Sequence, residues 1–398
     1  MPGRLVRQTW TYDPTIDAPA RYKRACRYDA FIPATLATLD ARVSGGLAGL
    51  LSDAERALRT LNDEGGALLD PLARLLLRTE SIASSRIEGL QIGVRELARA
   101  EARSDLGLEA GPTAAEVLAN IDAMVLAVDD AAEAKKFGSA QIVAIHERLL
   151  ERAPHRHIAG KVRDTQNWIG GNNYNPCGAE FIPPPPEEVK GLMKDLCAAI
   201  NDTTLSPVMQ AALVHAQFET IHPFGDGNGR TGRALVHVVL KRREVAPRFV
   251  PPISVVFAGD KDRYIDGLTK FRGDEVEAWL EQFAVALMRA ARLGRAYIED
   301  ALALRERWRE MLTSRRNAPR AGAAAWAILD VLPAQPMISG AVAVALTRRA
   351  KARVYEGMAQ LEDAGVLRPL STGRRNRIWE VDGVLDLVAR LEEGRMPK

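Results

Sequence analysis

His222-Pro-Phe-Gly-Asp-Gly-Asn-Gly-Arg-Thr-Gly-Arg233 is the stretch on which the reading of this 398-residue chain turns. Within it Gly227, Gly229 and Gly232 have the Gly-x-Gly-x-x-Gly spacing of dinucleotide-binding turns, and Gly227 and Gly232 are as far apart as the glycines of a P-loop. Neither device fits its surroundings. The first needs a strand before the leading glycine and an acid closing a second strand about 20 residues later. Here helix formers and a His-Pro pair precede, and a helical segment with Pro247, Pro251 and Pro252 follows. The second needs a lysine and a hydroxyl where Arg233 and Ala234 stand. Four glycines in eight residues also cost more backbone entropy than a plain turn requires. Glycines let successive N–H groups converge on an anion, and the next helix adds its positive N-terminal end. Arg230 and Arg233, three apart, share one face there. Asp226 offers a hard oxygen for Mg²⁺, and His222 is suited to take a proton near neutral pH. A ligand-free turn needs none of these.

Around this loop the pattern is mainly helical, rich in Ala and Leu and poor in alternating Val/Ile/Thr runs. Leu72, Leu75, Leu76 and Ile82 recur at helical spacing up to Ile87, and Gly89 supplies a stop. Pro207 opens a helix reaching Ile221, and Ala234–Arg243 resumes one after the loop. Asn167-Trp-Ile-Gly-Gly-Asn-Asn-Tyr174, Phe181-Ile182 and the prolines 183–186 predict a short β-hairpin ending in an extended arm. Near the C-terminus, helical segments at Trp326–Leu332, Ile338–Leu346 and Lys351–Ala364 precede a two-stranded ribbon around the turn Gly373-Arg-Arg-Asn376, the order of a winged helix. Arg348, Arg349, Lys351 and Arg353 at the start of its third helix, with Arg374, Arg375 and Arg377 in the wing, are a DNA-binding footprint. A protein-binding winged helix with a solvated basic face is the alternative.

The bulk numbers bound the class. The length exceeds one ordinary core. With 47% apolar and 26% charged residues and a net charge of +3, the chain reads as soluble and globular, with no strong pull toward nucleic acid or membrane. Cys26, Cys177 and Cys197 are few, odd in number and not spaced for zinc, which predicts unpaired thiols in a reducing cytoplasm. No apolar run is long enough for a leader or a membrane span.

The loop resembles, at every defined position, the signature of the Fic (Fido-domain) family: His-Pro-Phe, a variable residue, an acid, Gly-Asn-Gly-Arg, two residues and Arg. The resemblance implies an all-helical core with a β-hairpin flap, and transfer of AMP from ATP to a protein hydroxyl with release of pyrophosphate. His222 then corresponds to the base, Phe224 to the loop's core anchor and Asp226 to the holder of Mg²⁺ (or Mn²⁺). Gly227, Asn228 and Gly229 correspond to the phosphate cradle, continued through Thr231 and Gly232, and Arg230 and Arg233 to the contacts with the outer phosphates. This agrees with the residue chemistry, since phosphoryl-group transfer is mainly positioning plus charge neutralisation. Relatives that transfer phosphate lack Gly-Asn-Gly-Arg. Residues 167–171 and 181–186 are similar to the family's flap, whose edge pairs with an extended target segment. Asp262-Arg-Tyr264 with Trp279-Leu280 resembles the region closing the adenine pocket, although Ile265 replaces a common second tyrosine.

Upstream, Ser84-Ser-Arg-Ile-Glu88-Gly89 puts a carboxylate at the C-terminal end of a helix, where it opposes the macrodipole. The same stretch is similar to the family's inhibitory motif, in which the glutamate reaches the second loop arginine and displaces the ATP γ-phosphate. By that resemblance Glu88 pairs with Arg233 and Ser84 steadies it, and Asp13-Pro14 matches the N-terminal segment of such relatives. The expected organisation is an N-terminal helical region over 1–112, the catalytic core over 113–300 and a winged helix over 301–398. The expected function is protein adenylyltransferase, with two alternatives: removal of AMP by water on the same site, and a DNA-binding regulator whose core only senses nucleotide. Expected partners are ATP and a target protein, the chain itself included. DNA and a second copy in a homodimer are further candidates.

Overall fold

The computed structural model describes residues 3–12, 14–15, 17–39, 42–63, 70–370 and 377–396. The chain opens with an antiparallel hairpin, β1 (Gly3–Trp10) and β2 (Cys26–Pro33), in register from Gly3↔Pro33 to Trp10↔Cys26. Helices α1 (Gly45–Asp63), α2 (Asp70–Ile87), α3 (Val94–Ser104), α4 (Pro112–Val125) and α5 (Ser139–Leu150) follow. Next come α6 (Pro186–Asn201), α7 (Pro207–Ile221), α8 (Asn228–Arg242), α9 (Ile253–Gly259), α10 (Lys261–Arg272) and α11 (Val276–Thr313). The C-terminal unit comprises α12 (Ala324–Val331), β3 (Met337–Ser339), α13 (Gly340–Thr347), α14 (Lys351–Asp363), β4 (Leu367–Pro369), β5 (Ile378–Val381) and α15 (Val384–Glu392).

At the centre lies α7, every residue of which is buried. A helix buried on every side has no solvent face to offer, so it becomes the axis around which the others pack. Two of its polar side chains bond to backbone carbonyls: Gln210 Nε2 donates to that of Ala199 at 2.7 Å and Thr220 Oγ1 to that of Ala216 at 2.7 Å. Pro207 sits at its first turn, where a missing N–H costs nothing. Against it pack α6, α8 and α11. The continuous 38-residue α11 runs through residue 300 and carries the chain into the C-terminal unit.

Several expectations change. The N-terminal hairpin is not announced by the sequence, because β1 is largely solvent-exposed and mixes polar and apolar residues on both faces. The expected flap hairpin is reduced to one bridge, Ile169↔Phe181. Gly170 and Gly171 both have positive φ, and four prolines remove the donors that a longer ladder would need. Cys26 and Cys177 form a disulfide rather than staying unpaired, and Cys197 is free and buried. In the C-terminal unit Ile338 lies in a strand rather than a helix: Pro336 holds the chain extended, and Ser339 then caps α13 by accepting from the Val342 N–H. The ribbon gains a third strand, in the order β3-β5-β4. Asp13, Arg374 and Arg375 lie outside the described residues. Among those described, no helix is long and apolar enough to cross a membrane.

Candidate active site

The site begins where α7 ends. His222 is its C-cap, at φ +49° in the left-handed region, with Pro223 barring any further turn. A non-glycine residue in this region stores strain that its surroundings must hold. Arg163 Nε and Asn167 Nδ2 do so, donating to the His222 carbonyl at 2.9 and 3.1 Å. The same arginine reaches the carbonyls of Thr165, Pro184 and Ile221, so it staples flap to loop. The Nδ1 of His222 lies 3.3 Å from the Glu219 carbonyl. Carbonyls only accept, so Nδ1 carries the proton and Nε2 keeps its lone pair. Burial pulls the imidazole down to about 4, and it is neutral at pH 7.

Phe224 is fully buried and stacks at 3.7 Å on His146 of α5. His146 Nδ1 accepts from the Gly160 N–H at 3.0 Å, so its Nε2–H donates to the Asp226 carbonyl at 2.9 Å. Asn228 turns inward: its Nδ2 donates to the Phe224 carbonyl at 2.8 Å and its Oδ1 accepts from the Phe224 N–H at 2.9 Å. Its side chain therefore closes the loop, leaving only its backbone to a ligand. Gly227, at φ +76°, caps α8. A Cβ there would press on Leu149, so the position needs glycine for both conformation and space. The first turn of α8 follows, its N–H groups without intrahelical partners.

Asp226 Oδ1 accepts from the Gly227 N–H at 2.6 Å and lies 3.8 Å from Arg230 Nη2. Its side chain is half-exposed at the loop mouth. Among the described residues no cluster of three metal-ligating side chains exists. One accessible carboxylate suits Mg²⁺, which keeps several waters and takes substrate phosphate oxygens. Arg230 is 3% exposed, yet its Nε and Nη1 have no partner among the described residues. A buried cation with orphaned donors is built for an anion.

Arg233 is 1% exposed and held through Nε and Nη2. Nε donates to Ser84 Oγ at 2.9 Å, and Nη2 to the Ser84 carbonyl at 2.9 Å and to Glu88 Oε1 at 2.7 Å. Burial pushes the Glu88 carboxyl up, but Arg233, then Arg230 and His222, outweigh it and hold it below its ordinary value. A Cβ on Gly229 would collide with that carboxylate. Glu88 thus rests on the glycine at the heart of the loop. Its helix ends in a Schellman turn: Leu90 N–H bonds the Ser85 carbonyl at 3.1 Å, Gly89 N–H bonds that of Arg86 at 3.0 Å, and Gly89 sits at φ +85°.

Thr231 and Gly232 face the interior. Thr231 is fully buried, and a Cβ on Gly232 would meet Glu219 and Phe218 of α7. Tyr264 is 4% exposed; its ring stacks on Phe257 at 4.4 Å and its hydroxyl meets His215 Nε2 at 2.9 Å. It is held in a packed aromatic network and also lines a small cavity with Asp260, Arg263 and Gln282. Residues that sequence reading passed over are Arg163, His146 and Glu219. Glu219 Oε2 lies 4.0 Å from His222 Nδ1, and burial, with Glu88 adding, raises its carboxyl to about 7 against the pull of Arg233.

Residues 136–240 match the Fic/DOC family and residues 48–129 the Fic/DOC family N-terminal region. The chain is 34% identical over 113 residues to protein adenylyltransferase fic-1 of Caenorhabditis elegans, 28% of this chain and 20% of that one. It is 30% identical over 206 residues to a probable protein adenylyltransferase of Aquifex aeolicus, 50% of this chain and 57% of the other. It therefore spans from a fifth to just over half of these relatives. A Fic family protein from Desulfovibrio desulfuricans shares the fold at a TM-score of 0.50 and 19% identity, over 86% of this chain and 97% of its own. A Fic domain containing signaling protein from Bacteroides thetaiotaomicron does so at 0.50 and 19%, over 63% and 98%. The loop that holds the signature at every defined position thus lies inside the stretch that matches the Fic/DOC family, residues 136–240, behind a match to that family's N-terminal region over 48–129.

Proposed function

We propose that the protein transfers AMP from ATP to a hydroxyl side chain of a protein, and that Glu88 restrains it. The carrying observation is the contrast between two buried arginines on one turn of α8: Arg230 has donors left over, whereas Arg233 is occupied by Glu88 and Ser84. In this reading ATP phosphates lie over the α8 N-terminus with Arg230 on one side. His222 Nε2 takes the proton of the attacking hydroxyl, whose oxygen bonds the α-phosphorus as the bond to pyrophosphate breaks. Mg²⁺ held by Asp226 would neutralise phosphate charge. Arg233 can serve the γ-phosphate only once Glu88 withdraws.

The test uses ATP labelled at the α- or γ-phosphate, a cell lysate, and wild-type, Glu88→Gly and His222→Ala proteins. Label should pass from the α-position, rise in Glu88→Gly and vanish in His222→Ala, with a mass increment of AMP on the product. Transfer from the γ-position would overturn the reading. For the C-terminal unit we propose a winged helix that binds duplex DNA, supported by Arg348, Arg349, Lys351 and Arg353, all exposed around the start of α14. Binding should weaken steeply with salt, and Arg374→Ala with Arg375→Ala should flatten that slope by about two phosphate contacts. A salt-independent association would favour a protein partner instead.

A further inference from the structure

The segment that carries Glu88 is gripped from two directions. Its middle is anchored in the core: Glu80, fully buried, bonds His237 Nε2 of α8 at 3.0 Å and the Ser254 N–H of α9 at 2.8 Å. Its last turn is held differently. Arg86 Nη1 donates to the Glu392 carbonyl at 2.9 Å and Nη2 to Glu392 Oε2 at 2.6 Å. Glu392 ends α15 and is 4% exposed, whereas the Arg86 side chain is one-third exposed. Lys261 of α10 donates to the Ile87 carbonyl at 2.6 Å, a cation on the negative end of α2. Beyond the Gly89 turn the grip continues. Arg95 of α3 pairs with Glu380 of β5, and Ala98 and Ala102 pack on Met337 and Leu385. The C-terminal unit thus clasps the chain on both sides of Glu88.

We propose that Glu392 is a positioning residue for Glu88: by holding Arg86 it fixes the last turn of α2, so the C-terminal unit keeps the brake seated on Arg233. This rests on the reading of Glu88 as a brake. The device is local. The Glu80 network keeps the body of α2 docked whether or not Arg86 is held, and the left-handed Gly89 is a natural hinge. Glu392 Oε1 has no hydrogen-bond partner among the described residues, so removing Arg86 would leave a buried carboxylate with neither hydrogen bond nor ion-pair contact and only the charge of Arg78 nearby.

Hydrogen exchange and AMP transfer are measured on the full chain for wild type, Glu392→Gln, Arg86→Gln, Glu88→Gly and Glu392→Gln/Glu88→Gly. Amides of residues 84–92 should exchange about 5- to 150-fold faster in both latch variants, the usual span of coupling between sites. Those of residues 79–83 should stay as in wild type. Transfer should rise in both latch variants, and Glu392→Gln should add nothing once Glu88 is already glycine. Unchanged exchange at 84–92 overturns the proposal, as does equal acceleration at 79–83. Faster exchange without faster transfer, while Glu88→Gly is active, overturns it too. Faster exchange with Glu88→Gly itself inert leaves the latch standing and defeats the AMP-transfer reading instead.

Discussion

Arg233 is fully buried, and the partners of its Nε and Nη2 come from another part of the chain, Ser84 and Glu88. Releasing Glu88 leaves the guanidinium short of one acceptor in a place water barely reaches, so a phosphate oxygen becomes its natural substitute. Two outcomes follow at this scale. The gain in transfer from Glu88→Gly should disappear in Glu88→Gly/Arg233→Ala while ATP binding persists, which filter binding beside the labelling assay will read. Proton abstraction by His222 should be worth about 10²–10⁴-fold in rate. Because burial holds its imidazole at about 4, histidine NMR should show His222 neutral at pH 6 and titrating far below the usual 6.5. A His222 signal midpoint near 6.5 would mean that the ring is solvated and the base assignment needs another group.

The brake helix and the loop were legible because their signals are local. A left-handed glycine after a helix, an acid two positions from an arginine and a His-Pro stop are each read within a few residues. Gly89 makes the point quantitatively. An alanine at φ +85° costs about 1–2 kcal/mol, so Gly89→Ala should lower the unfolding free energy by that much in urea and raise background transfer by loosening the turn behind Glu88. The parts that were not legible depend on distant partners. Arg163 looks like any surface arginine until the fold brings four carbonyls around it. His146 sits among the apolar positions Ile142, Ile145 and Leu149 of α5, and its contacts with the Asp226 carbonyl, the Gly160 N–H and the Phe224 ring give it a role. Tyr264 is a motif-like position whose ring packs on Phe257 and near Trp279 at the edge of a small cavity. β1 and β2 also lack a local signal, and Cys26 of β2 is joined to Cys177 across 151 positions.

At the scale of the molecule, buried titratable groups make stability depend on pH in two opposed ways. His146 and His222 are pulled down to about 4 and His215 to about 3, chiefly by burial. Unfolded imidazoles take protons near 6.5 that the folded ones refuse, so stability should fall as pH drops from 6.5 toward 4. Glu219, raised to about 7, works the other way: its contribution is present at low pH and lost as pH rises through 7. Urea midpoints at pH 8, 6 and 4.5 should show the acid loss, and His215→Phe should reduce it. Thiol counting in denaturant without reductant should find one reactive cysteine, Cys197, and three after a dithiol is added. Three at the outset would mean that the hairpin and flap are not covalently joined. Finally, α11 begins in the core, where Trp279 donates to the Ala212 carbonyl at 2.9 Å. It ends in the C-terminal unit, where Trp308 donates to that of Asp382 at 3.2 Å. Its 38 residues form a rod of about 57 Å. Within that rod there is no pliable tether, and the largely exposed turns at 314–323, between α11 and α12, are where a protease should cut first. Gene fusion or domain shuffling could not exchange one half without severing a helix that both use as a wall.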